Sequence, residues 1–398
     1  MRSRTPKVLH PLCGRPMVDW VLETVKEAGV KDVKVIANPH HADVAAHLDA
    51  RVELIYQREP KGTAHALRQI PEGELRGRQV LVVNGDSPLL TAASVLKVIH
   101  AHQEQAKPAT IASVEDPTRD DGRIIRAADG SLEKIVERKD ATSAMRRQVH
   151  EFNVGLYCFD GSRLAGELEK VGDDNKAREF YLTEIFLHLR PVTVVKLDDP
   201  DEAMGVKDRV RLAKATDILR RRLLEQHMLS GVTIVDPDNT FIDAAVSIGQ
   251  DTVIEPFTII KGDTQIGSEC RIGPHVYIED ARIGDRSDCG PFAKLRPGTE
   301  LAEDVHIGSF AELGTWATPT WAWTPTSARV RLRPISTART RTGLRSVTAH
   351  SWAWTRCWSR PSNLARNRAR GPARSSPRTS RTARQPSVFP LGWYGESQ

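Results

Sequence analysis

The chain has 398 residues, 39% hydrophobic and 27% charged, and 57 Lys and Arg against 51 Asp and Glu give a formal net charge of +6. That is enough apolar material for two packed domains, yet no run of about 18 apolar residues occurs and no apolar segment follows the basic start, which argues against membrane spanning and secretion. The five cysteines, Cys13, Cys158, Cys270, Cys289 and Cys357, are odd in number and form no CxxC pair, so the expectation is reduced thiols in a cytoplasmic protein without a zinc site.

The first two thirds alternate helix and strand patterns. An amphipathic helix over 17–28 precedes a buried strand at 33–37. A helix at 42–48, a strand at 52–56 and a helix at 63–69 follow. The apolar strand Val80-Leu81-Val82-Val83 then ends at Asn84-Gly85-Asp86, before a helix over 92–102. A hairpin over 123–126 and 132–136 turns at Asp129-Gly130, strands come at 152–159 and 192–197, and a charged helix over 208–228 leads to a domain boundary near Gly231. Such alternation predicts an α/β, Rossmann-like domain over 1–231. Its right-handed βαβ units build a mostly parallel sheet with helices on both faces and ligands at the carboxyl ends of the strands.

From residue 248 an aliphatic side chain returns every sixth position: Ile248, Ile254, Ile260, Ile266, Ile272 and Ile278. After one step of five the ladder resumes as Ile283, Cys289, Leu295, Leu301, Ile307 and Leu313, and there it stops. A period of six fits neither an amphipathic helix nor a flat strand. It fits a hexapeptide solenoid, in which three short faces make one triangular coil, and it predicts a truncated left-handed parallel β-helix of under four coils over 232–313.

Residues 314–398 have a different composition: fifteen Arg, no Lys, one acid (Glu396) and seven of the eight Trp, for a net charge of +14. A basic arm with interleaved aromatics is the literal reading, but phosphate contacts give no reason to exclude lysine. Back-translating Thr326–Arg341 with permitted codons and reading two bases on gives V-G-A-G-T-I-T-A-N-F-D-G-A-N-K, a glycine-punctuated solenoid sequence. The expectation is therefore a frameshifted tail without the solenoid fold, the frame being lost near Gly314.

Three places can carry chemistry. Asp86 closes an apolar strand, where a carboxylate can hold a hard divalent cation or simply cap a helix or sit in a turn. Lys7 stands among Arg2, Arg4 and Arg15, either as a compact charge for phosphate or as part of a solvated basic terminus. Gly62-Thr63 opens a helix whose backbone N–H groups can face a base or phosphate, or merely be capped.

The motifs P-K-V-L (6–9), P-K-G-T-A-H-A (60–66), N-G-D-S-P-L-L (84–90), I-V-E-R-K-D-A-T (135–142), E-F-N-V-G-L-Y (151–157) and E-F-Y-L-T-E (179–184) occur in this order ahead of the hexapeptides. Over residues 1–313 the chain resembles the bifunctional N-acetylglucosamine-1-phosphate uridylyltransferase and glucosamine-1-phosphate acetyltransferase family of peptidoglycan precursor synthesis. The resemblance implies that UTP and N-acetylglucosamine 1-phosphate give UDP-N-acetylglucosamine and pyrophosphate with Mg²⁺. It implies Lys7 on phosphate, Gln57, Gly62 and Thr63 on uracil, and Asp86 on the metal beside Asn84 and Gly85. It further implies Gly122, Glu137 and Asn153 on the sugar, Arg296 at a second, acetyl-transferring site that uses acetyl-CoA, and a homotrimer wherever the β-helix is intact.

Three departures accompany it. The family's glycine-rich phosphate loop is expected just before Arg2, so the sheet is expected to lack its first strand, and the start to have been placed too late. Lys207 stands where the family places a second metal-ligating asparagine, and an ammonium cannot ligate a cation, so Asp208 or Lys207 must compensate or metal binding weakens. The acetyl-transfer base and acetyl-CoA contacts lie beyond Leu313, so acetyl transfer is expected to be lost. The competing expectations are a nucleotidyltransferase for another sugar 1-phosphate, an inactive sugar-nucleotide-binding scaffold, and a nucleic-acid binder using the tail.

Overall fold

The structure is a computed structural model that describes residues 1–49 and 51–314, and the backbone of 387–391. The frameshift expectation otherwise concerns residues outside those described.

Seven strands make the main path of the amino-terminal sheet, in the order Val192–Lys196, Ala109–Glu115, Glu151–Asp160, Gln79–Asn84, Ser387–Leu391, Asp32–Ala37 and Glu53–Tyr56. All neighbours are parallel except Glu151–Asp160, which runs antiparallel to both strands beside it. The hairpin Arg123–Arg126 and Leu132–Val136 joins that antiparallel strand at Arg123 and Phe152.

Along Gln79–Asn84, Leu81 and Val83 face one core with Val18, Leu22, Val25, Val95 and Ile99 from helices Met17–Glu27 and Ala92–Gln105. Val80 and Val82 face another with Leu67 of helix Thr63–Leu67 and Leu164 and Leu168 of helix Gly161–Leu168. A strand's period of two turns one apolar run into two buried faces, which explains why this segment is continuously hydrophobic.

Two sheet positions differ from expectation. The strand Ala109–Glu115 is the central partner of Glu151–Asp160. Its sequence, A-T-I-A-S-V-E, alternates small and β-branched residues too weakly to stand out as an apolar run. And a strand position between Gln79–Asn84 and Asp32–Ala37 is filled by the tail segment Ser387–Leu391, which the sequence did not lead one to expect there.

The helix Arg209–Leu229 is capped at its start by Asp208, whose Oδ1 accepts the Arg211 N–H at 2.8 Å. Gly231, at φ +94°, then turns the chain into the first solenoid strand, Thr233–Ile234. Three parallel sheets of five, five and four strands follow, one per face of a triangular coil. The inward ladder begins two rungs before the regular repeat, at Ile234 and Ile242, which pair with Ile254 and Ile260. The turn Pro237–Asn239 stretches the first step and hides it from a six-residue period. The described coils are therefore four complete ones and two faces of a fifth, rather than fewer than four.

Buried threonines tie coil to coil, as where Thr258 Oγ1 donates to the Gly273 carbonyl at 3.0 Å. At one corner Phe257, His275, Phe292 and Phe310 all take left-handed backbone angles and stack with ring centroids 4.8 to 5.0 Å apart.

No helix among the described residues is long and apolar enough to cross a membrane. Ile278, fully buried in the solenoid core, sets a stability prediction. Ile278→Ala should destabilise by about 2–5 kcal/mol in a urea titration followed by circular dichroism, whereas Phe292→Ala, at the half-exposed corner, should cost markedly less.

Candidate active site

The carboxyl end of Gln79–Asn84 sits beside the amino-terminal loop. Lys7, in the short turn Lys7–Leu9, is only 4% exposed, and its Nζ lies 2.6 Å from Asp86 Oδ2. This removes the solvated-terminus reading of Lys7. Asp86 lies in the turn after the strand but does not cap the next helix, which Thr91 caps by accepting the Ser94 N–H. The Val206 N–H donates to the Asp86 carbonyl at 2.9 Å, and Gly205 packs against the Asp86 carboxylate, whose oxygens a Cβ there would meet at 3.7 and 3.8 Å. Removing one partner from so enclosed an ion pair would leave a buried charge uncompensated.

A second group lies under the hairpin. Gly122 accepts the Asn153 N–H at 2.9 Å, and a Cβ on Gly122 would lie 3.3 Å from Glu137 Oε2. Glu137 Oε1 accepts the Thr183 hydroxyl at 3.0 Å. Burial raises the Glu137 carboxyl above its ordinary value, against the hydrogen bond from Thr183 and the charge of Lys207. Asn153 donates to the Tyr157 hydroxyl at 2.6 Å and accepts the Gly155 N–H at 3.0 Å. Asn84 packs on Gly155, which has φ +81° and where a Cβ would sit 2.3 Å from Asn84 Nδ2. The expected trio Gly122, Glu137 and Asn153 is thus brought together, with Asn84 beside it. Asp121, Gly155, Tyr157 and Thr183 complete the arrangement; the last three lie within the motifs, but their contacts span too much sequence to be read from spacing.

The third group is Gln57, Gly62 and Thr63. Gln57, buried, donates from Nε2 to the Gly62 carbonyl at 3.2 Å and lies 2.8 Å from His65 Nδ1. The helix start is more engaged than expected. The Ala64 N–H donates to the Phe180 carbonyl at 2.9 Å, and Thr63 Oγ1 accepts the Leu182 N–H at 2.9 Å. Gly62 takes φ +129°, with the Phe180 carbonyl oxygen 2.3 Å from where a Cβ would be.

Lys207 does not approach Asp86 by any bond observed; its Nζ lies 3.1 Å from Asp121 Oδ1. Arg119 and Arg211 approach the same carboxylate at 3.5 and 3.7 Å. Burial pushes the Asp121 carboxyl up, but Lys207 and Arg211 outweigh it and hold it below its ordinary value. Asp208 is occupied as the helix cap. Among the described residues no group of three or more His, Cys, Asp or Glu side chains is gathered for a metal. Arg296, far along the sequence on the solenoid, has Nε 2.7 Å from Glu312 Oε1.

Residues 1–187 match the MobA-like NTP transferase domain family, and residues 245–280 match the bacterial transferase hexapeptide family of six repeats. The chain is similar to the bifunctional protein GlmU of Listeria monocytogenes serotype 4b (strain CLIP80459), 40% identical over 336 residues, which is 78% of this chain and 73% of that protein. It is likewise 42% identical over 337 residues to the GlmU of Enterococcus faecalis (strain ATCC 700802 / V583), covering 79% and 73%. The chain belongs to the GlmU family. Its α/β nucleotidyltransferase fold followed by a hexapeptide β-helix is the architecture of that family, which comprises N-acetylglucosamine-1-phosphate uridylyltransferase and acetyltransferase enzymes making UDP-N-acetylglucosamine. GlmU-type nucleotidyl transfer is generally metal-dependent.

Two predictions follow from the geometry. Glu137 has a raised folded-state pKa, so the folded chain holds a proton that the unfolded chain has released, and stability is lost as pH rises from the ordinary carboxyl value of 4.5 through the folded value. Glu137→Gln should therefore raise the melting temperature relative to the parent at pH 8, with the difference shrinking toward pH 4. Gly155→Ala should cost at least about 1–2 kcal/mol in chemical unfolding, because a side chain must enter both a left-handed conformation and the space of Asn84.

Proposed function

We propose that residues 1–231 form the uridylyltransferase half and join UTP to N-acetylglucosamine 1-phosphate. A phosphate oxygen of the sugar phosphate attacks the α-phosphorus of UTP; the bond from that phosphorus to the β-bridging oxygen breaks, and pyrophosphate leaves. The observation that carries this reading is the enclosed Lys7–Asp86 pair at the carboxyl end of the central strand, whose last residue, Asn84, also adjoins the half-buried polar group of Gly122, Glu137 and Asn153 through Gly155.

In this reading Lys7 places an ammonium on the triphosphate. Gln57 and the Gly62-Thr63 turn border the uracil, with the carbonyl of Gly62 and Nε2 of Gln57 already aligned by their mutual bond. Asn84 and Gly85 line the floor between base and phosphates, while Glu137 and Asn153 hold sugar hydroxyls, the Asn153 amide being fixed by Tyr157 and Gly155.

The site's donor set fits a magnesium ion that takes one carboxylate, with water and substrate phosphates supplying the rest. Asp86 would hold it, and it would neutralise charge building on the phosphates. Lys207, bound to Asp121, offers no oxygen to a cation.

Pyrophosphate release from UTP and N-acetylglucosamine 1-phosphate tests the assignment, measured with and without Mg²⁺ on this chain and on one extended upstream by the family's glycine-rich loop. Mg²⁺-dependent release is expected, slow for this chain and fast with the loop; release in neither form overturns the reading and favours a binding scaffold. In the faster form Asp86→Ala should lower the rate by roughly 10²-fold or more, and near-normal turnover would remove Asp86 from the metal. Lys207→Asn should lower the Mg²⁺ concentration for half-maximal rate by about tenfold, measured by Mg²⁺ titration.

The solenoid reading is narrower. The hexapeptide ladder ends at Leu313 and Arg296 is engaged by Glu312, so we expect no acetyl transfer from acetyl-CoA to glucosamine 1-phosphate by this polypeptide. Homotrimeric assembly through the β-helix and a cytoplasmic location belong to the same proposal.

A further inference from the structure

The strands Asp32–Ala37 and Gln79–Asn84 are the two walls of a single strand position, and a remote piece of the same chain fills it. Ser387–Leu391 runs parallel to both. Five of its residues pair with one wall, from Ser387 opposite Val80 to Leu391 opposite Asn84. Only Ser387 and Val388 pair with the other, opposite Asp32 and Val33. Among the described residues this segment alone connects the Asp32–Ala37 and Glu53–Tyr56 pair to the rest of the sheet.

The physical demand for an occupant is strong. Val33, Val35, Ile36 and Val80 to Val83 are all buried, so the backbone groups of both walls have little access to water. A buried N–H or C=O without a partner is costly, and a two-stranded pair on its own is marginal at best. The occupant's own sequence is less suited to the place. Pro390 has no N–H to give, and proline is normally confined to edges or bulges. The ladder to Asp32–Ala37 stops before it.

We propose that this position is a strand-acceptor groove and that residues 387–391 are its donor strand, held by main-chain hydrogen bonds and exchanged more readily than the strands beside it. Leu391 is in register with Asn84, two residues before Asp86, so seating of the donor holds the strand end that carries the candidate site. The inference is independent of which substrate that site takes.

Hydrogen–deuterium exchange read by mass spectrometry tests it. The full chain is compared with one lacking 387–398 and with full-length Val388→Pro, which removes one donor N–H and leaves the tail's charge intact. Amides of 32–37 and 79–84 should exchange at least tenfold faster in both variants, while those of the solenoid stay unchanged. A synthetic peptide of residues 385–394 added to the deletion variant should restore protection, and a scrambled peptide should not. Unaltered exchange in the variants overturns the proposal, as does a loss of protection that both peptides restore equally or neither restores. If the deletion variant is recovered only unfolded, refolding it with each peptide decides: recovery with the native peptide alone supports a donor strand, and equal recovery overturns it.

Discussion

A lysine ammonium and an aspartate carboxylate, 2.6 Å apart and both largely withdrawn from water, tie the amino-terminal turn to the end of the central strand. Because Lys7 is anchored in this way, the amino-terminal turn is fixed beside the end of that strand. Gly205 and Val206 also pack against Asp86. Each contact converts a flexible polar group into one with a set position, which is the condition for holding a charged substrate without reorganisation. The neighbouring polar group is held differently. Glu137 and Asn153 are oriented by neutral donors and acceptors, Thr183, Tyr157 and Gly155, so its polarity arises from directed hydrogen bonds rather than from net charge.

What could be read from the sequence was what repeats or what depends on a short stretch of chain. The inward aliphatic ladder of the solenoid is legible because every rung obeys the same spacing, and the Val80–Val83 strand because four adjacent apolar residues need two buried faces. The first rung, Ile234, is illegible since Pro237–Asn239 breaks the period. The strand Ala109–Glu115 is illegible since alanine, serine and threonine blur its alternation. At the site, Lys7, Asp86 and Glu137 stand out as members of motifs, but the pairing of Lys207 with Asp121 does not. That contact joins residues 86 positions apart, and no local rule links a lysine before a helix to an aspartate before a hairpin. The same limit hides the engagement of the 63–67 helix start by Phe180 and Leu182.

The Lys207–Asp121 pair also has local logic. Asp121 is mostly enclosed and receives Lys207, Arg119 and Arg211, so its charge is more than balanced. A cation-rich wall therefore stands one residue from Gly122. Such a wall is electrostatically unfavourable for a further divalent cation and favourable for anions.

Among the described residues the solenoid's coils are joined to the coils directly before and after them through ladder pairs, threonine bonds and the corner stack of Phe257, His275, Phe292 and Phe310, and the first coil is also tied to Cys13 and Arg220. Such an array has no contact that binds its far end to its near end. Disruption of one outer coil is then confined like a break in a stack of plates: the layers beneath it keep their shape.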